Sequence, residues 1–334
     1  MLKKWLGWPK RRAENTPLGI LCDKKAPDIL AFELGRPFLF SDVLHTSDGF
    51  AFLDWNKVWN WIEQDVLDEF QDQAWRWAQQ GWLLHLRDQL GDTYNLIEDE
   101  TNFVLSPLER HLTDATLAFM NRAKQRVLEV LQGMASGNKD GCDILIICKD
   151  DEDYYSYVTN FYADEEVEIA RSGGMFLNAG CQHFITTHAD LSFMEPVIVH
   201  ELTHNYLAHL PLPLWLNEGI AVNVEQRLAG SLPGELTPQE LFHQHQNHWN
   251  AKTIQAFWSG ESFRRQDTML LSYDLAARMV TIFAKDWLSF TSFVLEACYE
   301  DAGNEAVQKY FDASLGYYAS AMLGKDEYEG WEPQ

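Results

Sequence analysis

The chain has 334 residues, 46% of them hydrophobic, enough for one large or two ordinary globular domains with a substantial core. Fifty acidic residues against 26 basic ones leave a net charge of −24, which repels phosphate backbones and anionic lipid, so no nucleic-acid partner is expected and cationic partners are favoured. Five scattered cysteines (Cys22, Cys142, Cys148, Cys181, Cys298) include no CxxC pair, no stretch approaches transmembrane length, and the N-terminus lacks a secretory apolar run, so a reducing, cytoplasmic setting is expected.

In chain order, the first segment mixes Leu2, Trp5, Leu6 and Trp8 with Lys3, Lys4, Lys10, Arg11 and Arg12. It reads as a frayed basic tail, because Pro9 limits any helix there. Across residues 54–90, Trp55, Trp59, Ile62, Val66, Phe70, Ala74 and Trp77 recur every three or four residues, which predicts one long helix with an aromatic core face. A second helix is predicted from Ser106, with Pro107 at its first position and Gly133 and Gly137 at its end. The texture changes after "SGNKDG". "CDILIICK" (142–149) reads as a buried strand, and "GGMFLNAG" followed by "CQHFITTH" as two more strands about a glycine turn. Helical patterns return from Glu195. The expected organisation is α+β and mostly helical, with a helical N-terminal region over 1–137 and a domain with a small mixed sheet over 138–334.

The segment "PVIVHELTHNYLAHLPLPLWLNEGIAVNVE" (196–225) carries the chemistry. Pro196 suits a first helical turn, and Pro211 and Pro213 stop the helix. His200 and His204 then share a face about 6 Å apart along the axis, close enough for both imidazoles to bind one zinc ion. Glu201, roughly 100° round from His200, borders that face within reach of a water without being a ligand. The proline turn folds the next helix back and can bring Glu218 opposite the histidines as a third ligand. The bland alternative, a buried helix whose histidines bond to backbone, explains poorly why three ionisable groups converge among Val197, Val199, Leu202 and Leu207.

"HELTH" followed by "PLWLNEGIAV" resembles the HExxH and W-L-x-E-G-x-A pair of the peptidase MA-like gluzincins, over roughly residues 140–325 and most strongly over 196–225. The resemblance implies a zincin-like catalytic domain, one Zn2+ per chain held by His200, His204 and Glu218, Glu201 as general base, and hydrolysis of peptide or protein substrates. It also implies that "GGMFLNAG" and "CQHFITTH" border the cleft. A later helix in such enzymes supplies a tyrosine or histidine to steady the oxyanion, and Tyr273 in "SYDLAARMV" is the candidate here, weighed against a core tyrosine.

The chain departs from the family pattern at two points. Val222 stands where some gluzincins have an aspartate, leaving Asn223 or Glu225 to orient a histidine. "GGMFLNAG" also lacks the glutamate with which related aminopeptidases hold a free amino terminus, which favours an endopeptidase. The acidic runs "KDDEDYY" and "ADEEVE" stand shortly before the cleft-bordering strand and would favour basic peptides, though charge runs are usually just solvated surface. His209 does not fit the metzincin third-ligand position, because Leu207 and Leu210 stand where that pattern needs glycine and histidine. His243, His245 and His248 are spread round a helix and read as solvated or capping residues rather than a second metal site. The rival function is a catalytically silent zinc-containing binding protein, or a scaffold carrying a helical interaction module in residues 1–137. Retention of Glu201 speaks against the silent reading, since a structural site has no use for a base.

Overall fold

The computed structural model describes residues 19–32, 36–137, 141–161, 173–230, 236–326 and 329–334. The basic N-terminal tail and the run "ADEEVE" lie outside them.

Three short strands come first: β1 (Ile20–Leu21), β2 (Ile29–Leu30) and β3 (Phe38–Leu39). The hairpin β4 (Leu44–Ser47) and β5 (Phe50–Leu53) follows, then the helices α1 (Trp55–Asp65) and α2 (Gln71–Leu90). The single long helix predicted for 54–90 is therefore two. Val66 is extended (φ −113°, ψ 133°) and buried, so the chain turns back and Trp55 packs against Trp75 and Trp82. No proline or glycine marks that break, and Trp59, counted in the predicted core face, is 52% exposed. Packing of two shorter helices overrides a local pattern that would allow one long one.

Two further strands, β6 (Asn95–Glu98) and β7 (Asn102–Ser106), precede α3 (Arg110–Val130). Ser106 thus ends a strand instead of opening a helix, and its hydroxyl accepts the Leu108 N–H in the turn that contains Pro107. The next elements are β8 (Asp143–Cys148), α4 (Asp151–Thr159), β9 (Gly174–Ala179) and β10 (Cys181–Thr187), the last two meeting at Gly180 as the sequence predicts. Asp150 from the run "KDDEDYY" caps α4 through the Asp153 N–H.

The main sheet runs β1-β6-β7-β8-β10-β9. β7–β8 and β8–β10 are parallel, and the remaining pairs are antiparallel. The sheet therefore crosses the expected boundary at 137/138: β7 lies on one side of it and its partner β8 on the other, and the first 137 residues contribute strands as well as helices. In the middle of the sheet both faces are covered, so β8 is buried along its whole length and apolar from Ile144 onward. Ile144 and Ile146 enter one core with the aromatics of α1, α2 and α4, while Leu145 and Ile147 enter the other with α3 and the later helices. The architecture is mixed α and β, with twelve α-helices among the described residues, none long and apolar enough to cross a membrane. All five cysteines are free thiols, and all but Cys298 are buried.

His183 on β10 is a buried group with a consequence for stability. Its Nδ1–H donates to Cys181 O and its Nε2 accepts the Tyr157 hydroxyl, both at 2.9 Å. Burial pushes its pKa down to about 4, with the Cys181 bond opposing. Because the unfolded chain binds this proton near pH 6.5 and the native state does not, stability is complete above that pH and falls as pH drops toward 4, by about 3 kcal/mol. Urea unfolding at pH 7 and pH 4 should show wild type losing about 2–3 kcal/mol more than His183→Gln. Equal losses in the two proteins would mean that His183 does not titrate in this way.

Candidate metal centre

After β10 the chain enters α5 (Leu191–Leu207), a turn through Pro211 and Pro213, and α6 (Leu214–Leu228). α5 begins at Leu191, before the start the sequence suggests, so Pro196 sits inside it, where its ring replaces the N–H that would bond Ser192 O. A buried carboxylate fixes the helix to the sheet. Asp143 of β8 accepts Asn205 Nδ2 (2.8 Å), the Tyr206 hydroxyl (2.9 Å) and Lys124 Nζ (2.7 Å), the first two from residues immediately after His204.

α6 returns antiparallel to α5, so His200 faces Glu225 while His204 faces Asn217 and Glu218. Each imidazole is oriented through its Nδ1. His200 Nδ1 donates to Glu225 Oε2 at 3.0 Å, and His204 Nδ1 donates to Asn217 Oδ1 at 3.1 Å. Both Nε2 atoms are thereby aimed at one point, and Glu218 Oε2 lies 3.2 Å from that of His200 and 3.4 Å from that of His204. Candidate ligand atoms of these three residues lie within 4.8 Å of one another, the one such group among the described residues. Of the two orienting residues suggested by the sequence, Glu225 contacts His200, whereas Asn223 bonds Gly219 O within α6 and reaches Ala277 O on a later helix. Asn217 carries no motif signal beyond its place beside Glu218.

With both Nδ1 hydrogens committed, each Nε2 either carries a hydrogen toward Glu218 or offers a lone pair to a cation held beside that carboxylate. Burial alone would lower the pKa of both imidazoles, but Glu218 and Glu225 around His200, and Glu218 beside His204, outweigh it and raise both. Burial would likewise raise the Glu218 carboxyl, yet the two histidines hold it well below the usual carboxylate range. A borderline divalent cation such as zinc fits this His-His-Glu donor set, with the Nδ1 partners supplying the outer support such sites use. The site is open to solvent as well. The side chains of His200, His204 and Glu218 keep 14, 10 and 12% exposure, so water touches each of them.

Glu201 is buried (5% exposed) and accepts the backbone N–H of Phe176 on β9, the edge strand. Burial raises its carboxyl pKa despite the pull of the two histidines. β9 reaches this position because Gly174 has no side chain: a Cβ there would lie 2.4 Å from Val197 Cγ1. α7 (Pro238–His248) and α8 (Ile254–Trp258) lead to α9 (Met269–Phe283), followed by α10 (Trp287–Glu296), α11 (Asn304–Phe311) and α12 (Leu315–Met322). α9 brings Tyr273 to the centre, its ring 6.4 Å from that of His200 and its hydroxyl on the side of Glu218. Burial and the surrounding carboxylates keep that hydroxyl protonated. All five site residues singled out in the sequence thus meet in one place. His209 is exposed in the turn after α5, and His243 is exposed on α7, whereas His245 is fully buried and neither solvated nor capping.

Gly219, next to Glu218, packs directly against the backbone of α9. A Cβ there would lie 2.6 Å from Ala276 O and 2.8 Å from Val280 Cγ2. Backbone cannot yield as a side chain can, so Gly219→Ala should push α6 off α9, cost about 1–3 kcal/mol and weaken zinc binding as Glu218 moves with its helix. Thermal melting and a zinc titration measure both effects, and wild-type values in both would show that the contact is dispensable.

Comparison with family models, curated proteins and solved structures finds no match to this chain.

Proposed function

We propose that the chain is a zinc-dependent metallopeptidase of the gluzincin type, with a zincin-like catalytic domain and endopeptidase action favoured. The observation that carries this reading is the orientation of His200 and His204 through their Nδ1 atoms, so that both Nε2 atoms and Glu218 Oε2 converge beside a buried carboxylate that takes no part in that convergence. Zinc bound there would supply Lewis acidity, lowering the pKa of water and polarising a carbonyl. Glu201 takes a proton from the attacking water on its carboxylate and returns it to the leaving amine. Tyr273, kept protonated by burial and neighbouring carboxylates, donates its hydroxyl to the developing oxyanion. Glu225 and Asn217 hold the two imidazoles in the tautomer that leaves Nε2 free to ligate.

The absence of a carboxylate from the edge segment Gly174–Ala179 supports an endopeptidase, because nothing there would hold a free amino terminus. The net charge of −24 supports basic peptides as substrates. The test is digestion of a peptide library by the zinc-loaded protein, with cleavage products read by mass spectrometry. Internal cleavage that a chelator abolishes and zinc restores is expected. Zinc uptake with no cleavage would point to a binding protein.

A further inference from the structure

His245 belongs to no part of the mechanism, yet it is fully buried and hydrogen-bonded through both ring nitrogens. Trp249 Nε1 can only donate, so His245 Nδ1 accepts that bond (2.9 Å) and the ring hydrogen sits on Nε2, which donates to Asp274 Oδ2 at 2.7 Å. Arg278 Nε donates to the same oxygen. Burial pushes the Asp274 carboxyl up, but the bonds from His245 and Arg278 outweigh it and hold it below the usual carboxylate range.

Asp274 is the residue immediately after Tyr273. A second path from Trp249 leads to Tyr273 itself. Trp249 meets Phe257 at 5.8 Å, Phe257 stacks on Phe263 at 5.4 Å, and Phe263 meets the Tyr273 ring edge-on at 5.3 Å. One tryptophan therefore grips α9 at two consecutive residues, through a polar chain to Asp274 and a ring chain to Tyr273. Rotation of α9 by about 20° would carry a side-chain tip about 5–6 Å from the axis through about 2 Å. Misplacement on that scale is enough to cost a catalytic group most of its effect.

We propose that His245 is a positioning residue: through Asp274 it sets the rotation of α9 and so the place of the Tyr273 hydroxyl at the metal centre. The kinetic consequence rests on the metallopeptidase reading, whereas the structural consequence does not. His245→Asn keeps an oxygen to accept from Trp249 but is too short to reach Asp274. His245→Gln keeps an N–H at the reach of Nε2.

For a cleaved peptide, His245→Asn should lower kcat about tenfold with KM and zinc content unchanged, and His245→Gln should restore it to within about threefold. In a Tyr273→Phe background, His245→Asn should have almost no further effect, because the two act through one group. Equal losses in both backgrounds, or a change in KM alone, would overturn the proposal.

A readout independent of activity is 19F NMR of protein containing 3-fluorotyrosine, with the Tyr273 line assigned by Tyr273→Phe. That line should shift or broaden in His245→Asn and return in His245→Gln. If His245→Asn fails to fold, Asp274→Asn weakens the same link from its other end and should move the same line. A Tyr273 line unmoved by these changes overturns the proposal whether or not the protein hydrolyses anything. A moved line in a protein without Glu201-dependent cleavage keeps the positioning role and removes the metallopeptidase reading.

Discussion

Glu201→Gln should lower kcat on any cleaved peptide by about a thousandfold while zinc stays bound, within the range of about 10²–10⁴ that a positioned general base contributes. Glutamine keeps the size of the side chain and an oxygen to accept the Phe176 N–H, so the contact with β9 persists and only proton transfer is lost. Burial raises the Glu201 carboxyl, which places it nearer than an exposed glutamate to the proton affinity a base requires near neutral pH. Steady-state kinetics and metal analysis on the same preparation separate the effects. Activity within tenfold of wild type would remove Glu201 from the mechanism, and loss of zinc along with activity would recast it as part of the metal support.

Glu218→Ala should weaken zinc binding by more than about 100-fold, beyond the 10–100-fold that loss of an outer-sphere partner costs. Among the described residues its Oε2 is the one carboxylate oxygen close to both Nε2 atoms, at 3.2 and 3.4 Å, and two imidazoles alone leave a zinc ion under-coordinated. Glu225→Gln provides the graded comparison. It leaves an acceptor for His200 Nδ1 but removes the charge, so its loss should stay within the outer-sphere range. Competition against a chromogenic chelator measures both affinities. Unchanged affinity in Glu218→Ala would exclude it from the ligand set.

The centre was legible because it lies on two consecutive helices joined by a short proline turn. Helical spacing alone puts His200 and His204 on one face, and the return of α6 accounts for Glu218. The strands at 143–148, 174–179 and 181–187 were legible from their apolar runs and the glycine between the last two. What was not legible depends on partners far away in the chain. Ser106 and Pro107 carry a helix-start signal, but β7 pairs with β6 and β8, and the sheet claims Ser106 for its end. No residue near Val66 announces a break, which follows from Trp55 packing on Trp75 and Trp82. The spacing of His243, His245 and His248 shows only that they spread round α7. The burial of His245 is set by Asp274, 29 residues later, on a helix whose approach no local pattern encodes.

The central claim is a single cation held by His200, His204 and Glu218, and anomalous diffraction tests it most directly. Crystals grown with one equivalent of zinc and measured on both sides of the zinc absorption edge should show one peak about 2.0–2.2 Å from both Nε2 atoms and a Glu218 oxygen, with Glu201 outside bonding distance. No peak between those three groups, or peaks scattered over surface carboxylates instead, would contradict it.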